Sequence, residues 1–458
     1  MPYCRWSTRH TCSAERKLSR RSSSPWPRRR STRGLNRHRY NSGMPLQKAD
    51  VLILSSGIGS GHMRASAALT KGVELLAPEL ECLTVDFPRE VSPAIEALLR
   101  QAYLESLKLM PDLYGKIYRT SKIRASKQGT IRQTSDVYER ISHFSEPWAA
   151  RYAGSYREGD HPDIHSHHLR RSGLRTLERL TEETKPKVLV APHFYGAGVL
   201  GKYKERNPQA FTAAVLTDYV PHPVGVPPNL DLYVVADEAA AEAVEKLGVS
   251  EKRIHPTGIP IDPAFEEAAD VPGVRQDLLE LPSESEEDDL PVVIVMGGGL
   301  GGGHFESVVA SLLEASASMH LIVLCGSNTS SCERLRRIAK KRRRSAIFLS
   351  FTDRVRDLMA ASTVLVTKPG GMSCTEALAS GLPQVLFNPI PGQEEDNASA
   401  MMRYGAGVLV ESTNDILGET LKILTSPNHR RWMIESARAA HHPHSAKSAA
   451  SFILDGMP

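Results

Sequence analysis

The chain has 458 residues, of which 41% are hydrophobic and 24% are charged, as in folded globular proteins long enough for two domains. No apolar run reaches the length of a membrane-spanning helix. The six cysteines form no C-x-x-C pair and lack the spacing of metal ligands. Composition therefore argues against an integral membrane protein, a disulfide framework and a zinc module, and it fits reduced thiols in the cytoplasm.

Residues 1–43 have a composition of their own. They contain eleven arginines and one lysine against a single acid, Glu15. Although the net charge of the whole chain is +5, the chain after residue 43 therefore carries a negative net charge. This segment is rich in serine and has no apolar periodicity, which predicts a disordered leader. It has the composition of an organelle transit peptide. It could also be a nucleic-acid-binding arm, or translation could start at Met44.

From residue 49 onward, short apolar segments alternate with helical patterns. Such alternation predicts parallel sheets wrapped by helices, that is, an α/β fold. In the first half we predict strands at 50–55, 82–87, 187–191, 212–217 and 232–236, a helix at 63–76 and a long helical region at 92–118.

An acidic, non-periodic stretch interrupts this alternation, and the alternation then starts again. We therefore predict a first domain at 44–275, a linker at 276–290, a second domain at 291–435 and a C-terminal helix or tail at 436–458. In the second domain we predict strands at 292–296, 321–325, 346–351 and 364–366, and helices at 305–315 and 332–340.

Two glycine-rich turns follow the first strand of each half, at 57–62 and 297–304. Turns at the carboxyl edge of a parallel sheet are where ligands of such folds bind. The second turn contains G-x-G-x-x-G, but the next strand ends at Cys325 without the acid that a dinucleotide's ribose requires. After the first turn Asp86 is in the right place, but the glycines are spaced G-x-G-x-G. Neither half carries the complete fingerprint of a nicotinamide or flavin enzyme.

Three histidines and one aspartate lie at predicted strand ends of the first half: His62, His193, Asp218 and His222. A neutral imidazole can accept a proton from an alcohol in a transition state. Any one of the four could be structural, but four on one sheet edge indicate a reactive site. His304, in the second turn, fits a plain helix start.

The segment 364–378 combines a short strand, Pro369, two glycines and a helix predicted to begin at Ser373. Unpaired N–H groups at a helix start suit a phosphate or pyrophosphate. Ser373 and Glu376 also have the S-x-x-E spacing of a capping box. Glu376 can therefore close the helix, hold the paired hydroxyls of a ribose, or do both.

Eight motifs together resemble one enzyme family. They are SSGIGSGHMRAS (55–66), DLYGKIYRTS (112–121), TDYVPH (217–222), GIPIDPAF (258–265), MGGGLGGG (296–303), FTDRVRDLMAAS (351–362), TKPGGMSCTEAL (367–378) and PGQEEDN (391–397). The chain resembles the monogalactosyldiacylglycerol synthases and processive diacylglycerol glucosyltransferases. These are family 28 glycosyltransferases, related to the lipid II synthase N-acetylglucosaminyltransferase. The similarity runs from residue 49 to about residue 435.

The resemblance implies a GT-B fold, in which two Rossmann-like domains face each other and the second holds a sugar nucleotide. It implies that the backbone near Phe351 contacts uracil and that Glu376 holds the ribose. The pyrophosphate would lie against Gly297, Gly298, Gly299, Gly370, Gly371 and Ser373, and the sugar hydroxyls against Gln393, Glu394 and Asn397. It implies no cofactor and no metal, because helix dipoles and N–H groups would stabilise the departing diphosphate.

The implied reaction is an inverting transfer of a hexose from UDP-glucose or UDP-galactose to a lipid, foremost diacylglycerol. We predict His62 as the base, with Asp218 or His222 orienting or replacing it. The family usually has an aromatic residue soon after the TDYVPH element, but 223–228 contains none. The acceptor side therefore departs more from the family than the donor side.

By the resemblance, the helical region at 92–118 would lie against a bilayer and the basic run at 334–344 would meet anionic head groups. That implies a peripheral position at the cytoplasmic face of an anionic membrane. Import into an organelle follows instead if the leader is a transit peptide. The plainer readings are an ordinary core helix and a solvated helix face. Nucleic-acid binding is not expected, because no aromatic residues are interleaved with the basic run.

Three alternatives remain open from the sequence. The acceptor could be a polyprenyl-linked carrier, or the protein could be an isomerase of the sugar-nucleotide 2-epimerase type. It could also be a non-catalytic nucleotide sensor.

Overall fold

The computed structural model describes residues 47–94, 96–97, 100, 163–279, 290–297, 305–326, 328–342 and 345–457. The predicted leader and most of the predicted linker, helical region 92–118 and second glycine turn lie outside these residues. The described residues form two six-stranded parallel sheets with helices packed against them. The predicted α/β class is confirmed, and the domain boundaries stay a prediction.

The first sheet has the order β2-β1-β3-β4-β5-β6. Its strands are β1 (Val51–Ser55), β2 (Cys82–Asp86), β3 (Val188–Ala191), β4 (Phe211–Val215), β5 (Leu232–Val234) and β6 (Ile254–His255). The helices of this half are Gly61–Leu76, Phe87–Val91, Asp163–Thr184, Phe194–Arg206 and Glu238–Glu245, and the next helix, Val271–Leu279, packs into the core of the second half. Every residue of β1 and β3 is buried, since helices cover both faces of a parallel sheet.

The second sheet has the order β12-β11-β10-β7-β8-β9. Its strands are β7 (Val292–Met296), β8 (His320–Leu324), β9 (Ala346–Leu349), β10 (Val364–Thr367), β11 (Gln384–Phe387) and β12 (Gly407–Val410). The helices are Phe305–Glu314, Thr329–Arg342, Val355–Ala360, Gly371–Ala379, Gln393–Tyr404, Thr413–Thr425, Pro427–Ala440 and Ser445–Asp455. Among the helices that can be described, none is long and apolar enough to cross a membrane.

Strand ends differ from the sequence prediction by one or two residues. β4 ends at Val215, two residues earlier than predicted, which leaves Thr217 outside the ladder and free to face the other half. The helix after β10 begins at Gly371 rather than at Ser373. Its N-cap is Gly370, and no side chain caps it, so the predicted capping box of Ser373 and Glu376 is wrong.

An apolar cluster connects the two halves. It contains residues of the first sheet, such as Leu52, together with Met372, Cys374 and Met401 of the second half. Because buried apolar area contributes about 25 cal/mol per Å², this shared core stabilises the contact between the sheets.

The last helix, Ser445–Asp455, returns to the first half. Ala449, Ala450 and Ile453 are buried in one cluster with Leu69 and Val73 of the helix Gly61–Leu76. The two helices approach closely at Gly72, where a Cβ atom would lie 2.3 Å from the carbonyl oxygen of Ala446. Glycine is required there because any side chain would meet backbone.

We predict that Gly72→Ala lowers stability by about 1–3 kcal/mol, because the last helix must move away. Gly418→Ala is the matched control. Gly418 lies within the exposed face of the helix Thr413–Thr425, where an added Cβ would meet nothing within 4 Å. That change should raise stability by about 0.5–1 kcal/mol through helix propensity. Differential scanning calorimetry measures both, and a Gly72→Ala midpoint at or above that of the wild type would contradict the packing described.

Candidate active site

The carboxyl ends of the two sheets meet. From the first half, the helix start at Gly61 and the segment after β4 point at the second half, and from the second half come the helices Gly371–Ala379 and Gln393–Tyr404. A Cβ added to Gly61 would lie 3.5 Å from Met372 Cγ, and one added to Gly371 would lie 2.1 Å from the Thr217 carbonyl oxygen. The starts of two helices therefore face each other across the cleft, where ligands of such sheets bind.

His62 is fixed by two contacts to one ring nitrogen. Its Nδ1 lies 3.0 Å from the Pro192 carbonyl oxygen and 3.1 Å from Thr217 Oγ1. A carbonyl only accepts, so Nδ1 carries the proton and Nε2 is the basic nitrogen. Burial lowers the pKa of His62 to about 4, against the opposing effect of the bond to Pro192. The ring is therefore neutral at pH 7 and ready to accept a proton at Nε2.

His193 packs edge-on against His62, with ring centroids 4.6 Å apart. It is 4% exposed, and its Nδ1 is buried without a hydrogen-bond partner in the described chain. Burial, with His62 as a second cause, holds the pKa of His193 well below its usual value. The contact restricts the ring orientation of His62 and keeps a second neutral imidazole beside it.

Asp218 lies elsewhere than predicted. Its carboxylate accepts hydrogen bonds from Gln393 Nε2 at 2.8 Å and from Asn397 Nδ2 at 3.1 Å, across the cleft. The orientation of His62 thus comes from Pro192 and Thr217, and the expectation that Asp218 orients it is corrected. Burial raises the pKa of Asp218, and the two amide donors partly offset that shift.

His222 is placed beyond Tyr219, where the chain turns into a short 3-10 segment. Its carbonyl accepts a hydrogen bond from the Gly225 N–H at 2.9 Å. The described contacts of the His62 ring are with Pro192, Thr217 and His193, and the role of His222 beside His62 stays a prediction.

Tyr219 joins the halves most firmly. Its backbone N–H donates to Asn397 Oδ1 at 2.9 Å, and its hydroxyl lies 2.8 Å from Thr375 Oγ1. The ring is buried and meets Tyr404 edge-on at 6.0 Å. Both ends of the Asn397 amide are therefore used by the first half, Oδ1 by Tyr219 and Nδ2 by Asp218.

Glu376 lies inside the helix that starts at Gly371 and is 2% exposed. One oxygen, Oε1, forms an ion pair with the Arg64 guanidinium, which reaches across the cleft from the helix Gly61–Leu76. The other, Oε2, is buried and has no partner in the described chain. Burial lowers the pKa of Arg64 to about 10, so it stays charged at pH 7.

The remaining predicted donor residues lie in several elements of the second half. Gly370 and Gly371 form the helix start, where the first N–H groups have no intrahelical acceptor, and Ser373 is in the first turn. Glu394 Oε2 accepts from the Ile390 N–H at 2.7 Å, and burial raises the pKa of Glu394.

The positions predicted to contact uracil and the pyrophosphate from elsewhere in this half are Phe351 and the second glycine turn. Phe351 is 76% exposed. A Cβ on Gly297 would meet the Phe305 ring at 2.8 Å. Gly298 and Gly299 lie outside the described residues.

Sequence reasoning missed Arg64, Thr217, Pro192 and Tyr219. Arg64 and Thr217 sit inside motifs already singled out, two residues after His62 and one before Asp218. Proximity to those residues was the available signal. Pro192 acts through its backbone carbonyl, and Tyr219 acts through its backbone N–H and its ring. A pattern of residue types does not predict such contacts.

Two family models match the chain. Residues 128–261 match the monogalactosyldiacylglycerol (MGDG) synthase model, and residues 292–451 match the glycosyltransferase family 28 C-terminal domain. Among curated proteins, the chain is similar to the processive diacylglycerol beta-glucosyltransferase of Bacillus subtilis (strain 168). The two are 24% identical over 407 residues, which are 88% of this chain and 94% of that protein.

Solved structures show the same fold. Acinetobacter baumannii MurG aligns with a TM-score of 0.54 at 12% identity, over 88% of this chain and 99% of that one. The UDP-GlcNAc 2-epimerase from Neisseria meningitidis aligns with a TM-score of 0.53 at 10% identity, over 88% and 98%. The predicted GT-B arrangement is confirmed, and the fold by itself is common to a transferase and an epimerase.

The two models and the relatives that span most of the chain agree with each other. They confirm the predicted resemblance to the monogalactosyldiacylglycerol synthases and processive diacylglycerol glucosyltransferases, with a family 28 glycosyltransferase domain at 292–451.

Proposed function

We propose that the protein is an inverting glycosyltransferase that moves a hexose from UDP-glucose or UDP-galactose to diacylglycerol. One observation carries this proposal: the neutral ring of His62, with a fixed tautomer, contacts Thr217, whose carbonyl oxygen lies against the start of the helix Gly371–Ala379. A base and an anion-binding helix start on opposite walls are what such a transfer requires.

In the proposed reaction one proton moves, one bond forms and one bond breaks. His62 Nε2 takes the proton of the acceptor hydroxyl while the acceptor oxygen forms a bond to the anomeric carbon from the face opposite the diphosphate. The bond from the anomeric carbon to the phosphate oxygen breaks, and UDP leaves with that electron pair. N–H groups at Gly371, Met372 and Ser373 stabilise the added negative charge.

The donor assignment has two supports. The Neisseria epimerase of the same fold was solved bound to UDP-GlcNAc. In this chain a buried carboxylate, Glu376, lies one turn inside the helix start that would hold the diphosphate, so it is within reach of a ribose. Gln393 and Glu394, at the start of the next helix, lie on the same wall and would contact sugar hydroxyls.

The acceptor assignment is supported by the names of the relatives, which are diacylglycerol glucosyltransferases. Contact with an anionic membrane is supported by the helix Thr329–Arg342. In the described chain its Arg334 and Arg342 pair with Glu306 and Glu314, while Arg337, Lys340 and Lys341 are exposed without an acidic partner. Each unpaired cation near an anionic surface contributes about 1 kcal/mol.

Product identification tests the proposal directly. The protein is incubated with radiolabelled UDP-glucose, UDP-galactose or UDP-N-acetylglucosamine and vesicles that contain diacylglycerol, with vesicles lacking it as the control. Labelled glycolipid from a hexose donor, only with diacylglycerol present, is the expected result. A C2 epimer of the nucleotide sugar without any lipid product would instead establish the isomerase alternative.

We predict that His62→Ala lowers kcat by roughly 10²–10⁴-fold with little loss of UDP affinity, because only proton transfer is removed. His429→Ala is a matched control, since His429 stacks on the exposed Trp432 and makes no contact with the cleft residues described. Near-normal turnover of His62→Ala would rule out His62 as the base.

The pH profile follows from the lowered pKa of His62, about 4. A base is active when it is deprotonated. Lowering the pH to about 5.5 should therefore leave His62 neutral, and its titration should not lower kcat/KM in that range. An unshifted histidine would instead halve kcat/KM near pH 6.5. Initial rates between pH 5.5 and 8 distinguish the two, and a halving near pH 6.5 that is absent from His62→Ala would contradict the lowered pKa of His62 while keeping it as the base.

We also propose that transfer needs no bound metal, since N–H groups and the helix dipole supply the charge stabilisation. Activity is then expected to persist in excess EDTA. Loss of activity in EDTA that added Mg²⁺ restores would show that a metal assists the leaving group.

A further inference from the structure

The polar contacts across the cleft involve residues predicted to bind the donor. Arg64 pairs with Glu376, predicted for the ribose, and Asp218 accepts from Gln393 and Asn397, predicted for the sugar. Side chains of the first half thus already pair with the side chains of the second half that are predicted to bind the donor. Tyr219 adds its N–H to Asn397.

Each of these contacts substitutes incompletely for a ligand. A ribose offers two adjacent hydroxyl donors to a carboxylate, whereas Arg64 serves Oε1 of Glu376 and leaves Oε2 buried and unpaired within the described chain. An unpaired buried acceptor is costly, so the pair is weaker than a contact that serves both oxygens. The two oxygens of Asp218 likewise take donors that hydroxyl groups of a hexose would take.

We infer that the Arg64–Glu376 ion pair is a latch on the donor site, and that a nucleoside diphosphate must displace Arg64 to reach Glu376. This inference rests on the proposed donor. Binding then proceeds only from the fraction of molecules in which the latch is open, so the apparent dissociation constant equals the intrinsic constant divided by that fraction.

The latch predicts that removing the charge of Arg64 changes UDP affinity in the direction opposite to that expected from simple charge attraction. UDP is an anion, so removing a nearby cation should weaken its binding if the cation acts on the phosphates. If Arg64 instead competes for Glu376, removing the guanidinium should strengthen binding. The direction of the change therefore identifies the role of Arg64.

The test is isothermal titration calorimetry of UDP with the full chain. Arg64→Gln removes the charge, and Arg64→Met removes it while keeping a long apolar stem. We expect both to lower the dissociation constant for UDP about fivefold or more, equivalent to about 1 kcal/mol. Arg64→Lys, which restores a cation, should return the constant to within about twofold of the wild type.

Lys187→Gln is the matched control, because it also removes one cation from an ion pair, with Asp50 at 2.9 Å, but at the amino edge of the same sheet. It should leave UDP binding within about twofold of the wild type. Unchanged or weaker binding in both Arg64→Gln and Arg64→Met overturns the latch while leaving the donor assignment intact. A wild-type chain that binds no UDP overturns the proposed donor, and the latch with it.

Discussion

The structure depends on a buried seam between two parallel sheets whose carboxyl edges face each other. Tyr219 is at its centre, with its N–H on Asn397, its hydroxyl on Thr375 and its ring against Tyr404. Because these groups are buried, each unmade hydrogen bond would cost about 1–3 kcal/mol, so the seam fixes the relation of the halves closely. The residues of both walls take their places from that relation.

The same seam explains why the proposed base is held in place and why the proposed donor-binding side chains already have partners. His62 is held by Pro192 and Thr217 within the first half, so its orientation does not depend on a ligand. Glu376, Gln393 and Asn397 are instead held by side chains of the opposite half. The proposed base is therefore preorganised, whereas the proposed donor groups must exchange partners when a ligand enters. Exchange of one set of polar partners for another limits the net cost of opening.

Burial sets the electrostatics of the cleft. It lowers the pKa of His62 and raises that of Asp218, in each case favouring the neutral form. A neutral imidazole suits a general base, and the amide donors on Asp218 offset part of the cost of its charge. Arg64 remains charged and forms an ion pair with Glu376, beside groups whose neutral forms burial favours.

The sequence by itself determined the α/β class and the positions of most strands, because apolar periodicity and glycine turns are local properties that a chain carries in its residue order. Its motifs also carried the resemblance to one enzyme family. Most of the candidate residues were also visible, since they follow strand ends. Only the tertiary structure decided their partners. The helix begins at Gly371 without a side-chain cap, and the Thr217 carbonyl of the other half lies against that glycine. The assignment of Asp218 to Gln393 and Asn397, and of Arg64 to Glu376, joins residues more than 170 positions apart. Such pairs arise from how two sheets face each other, which no local pattern encodes.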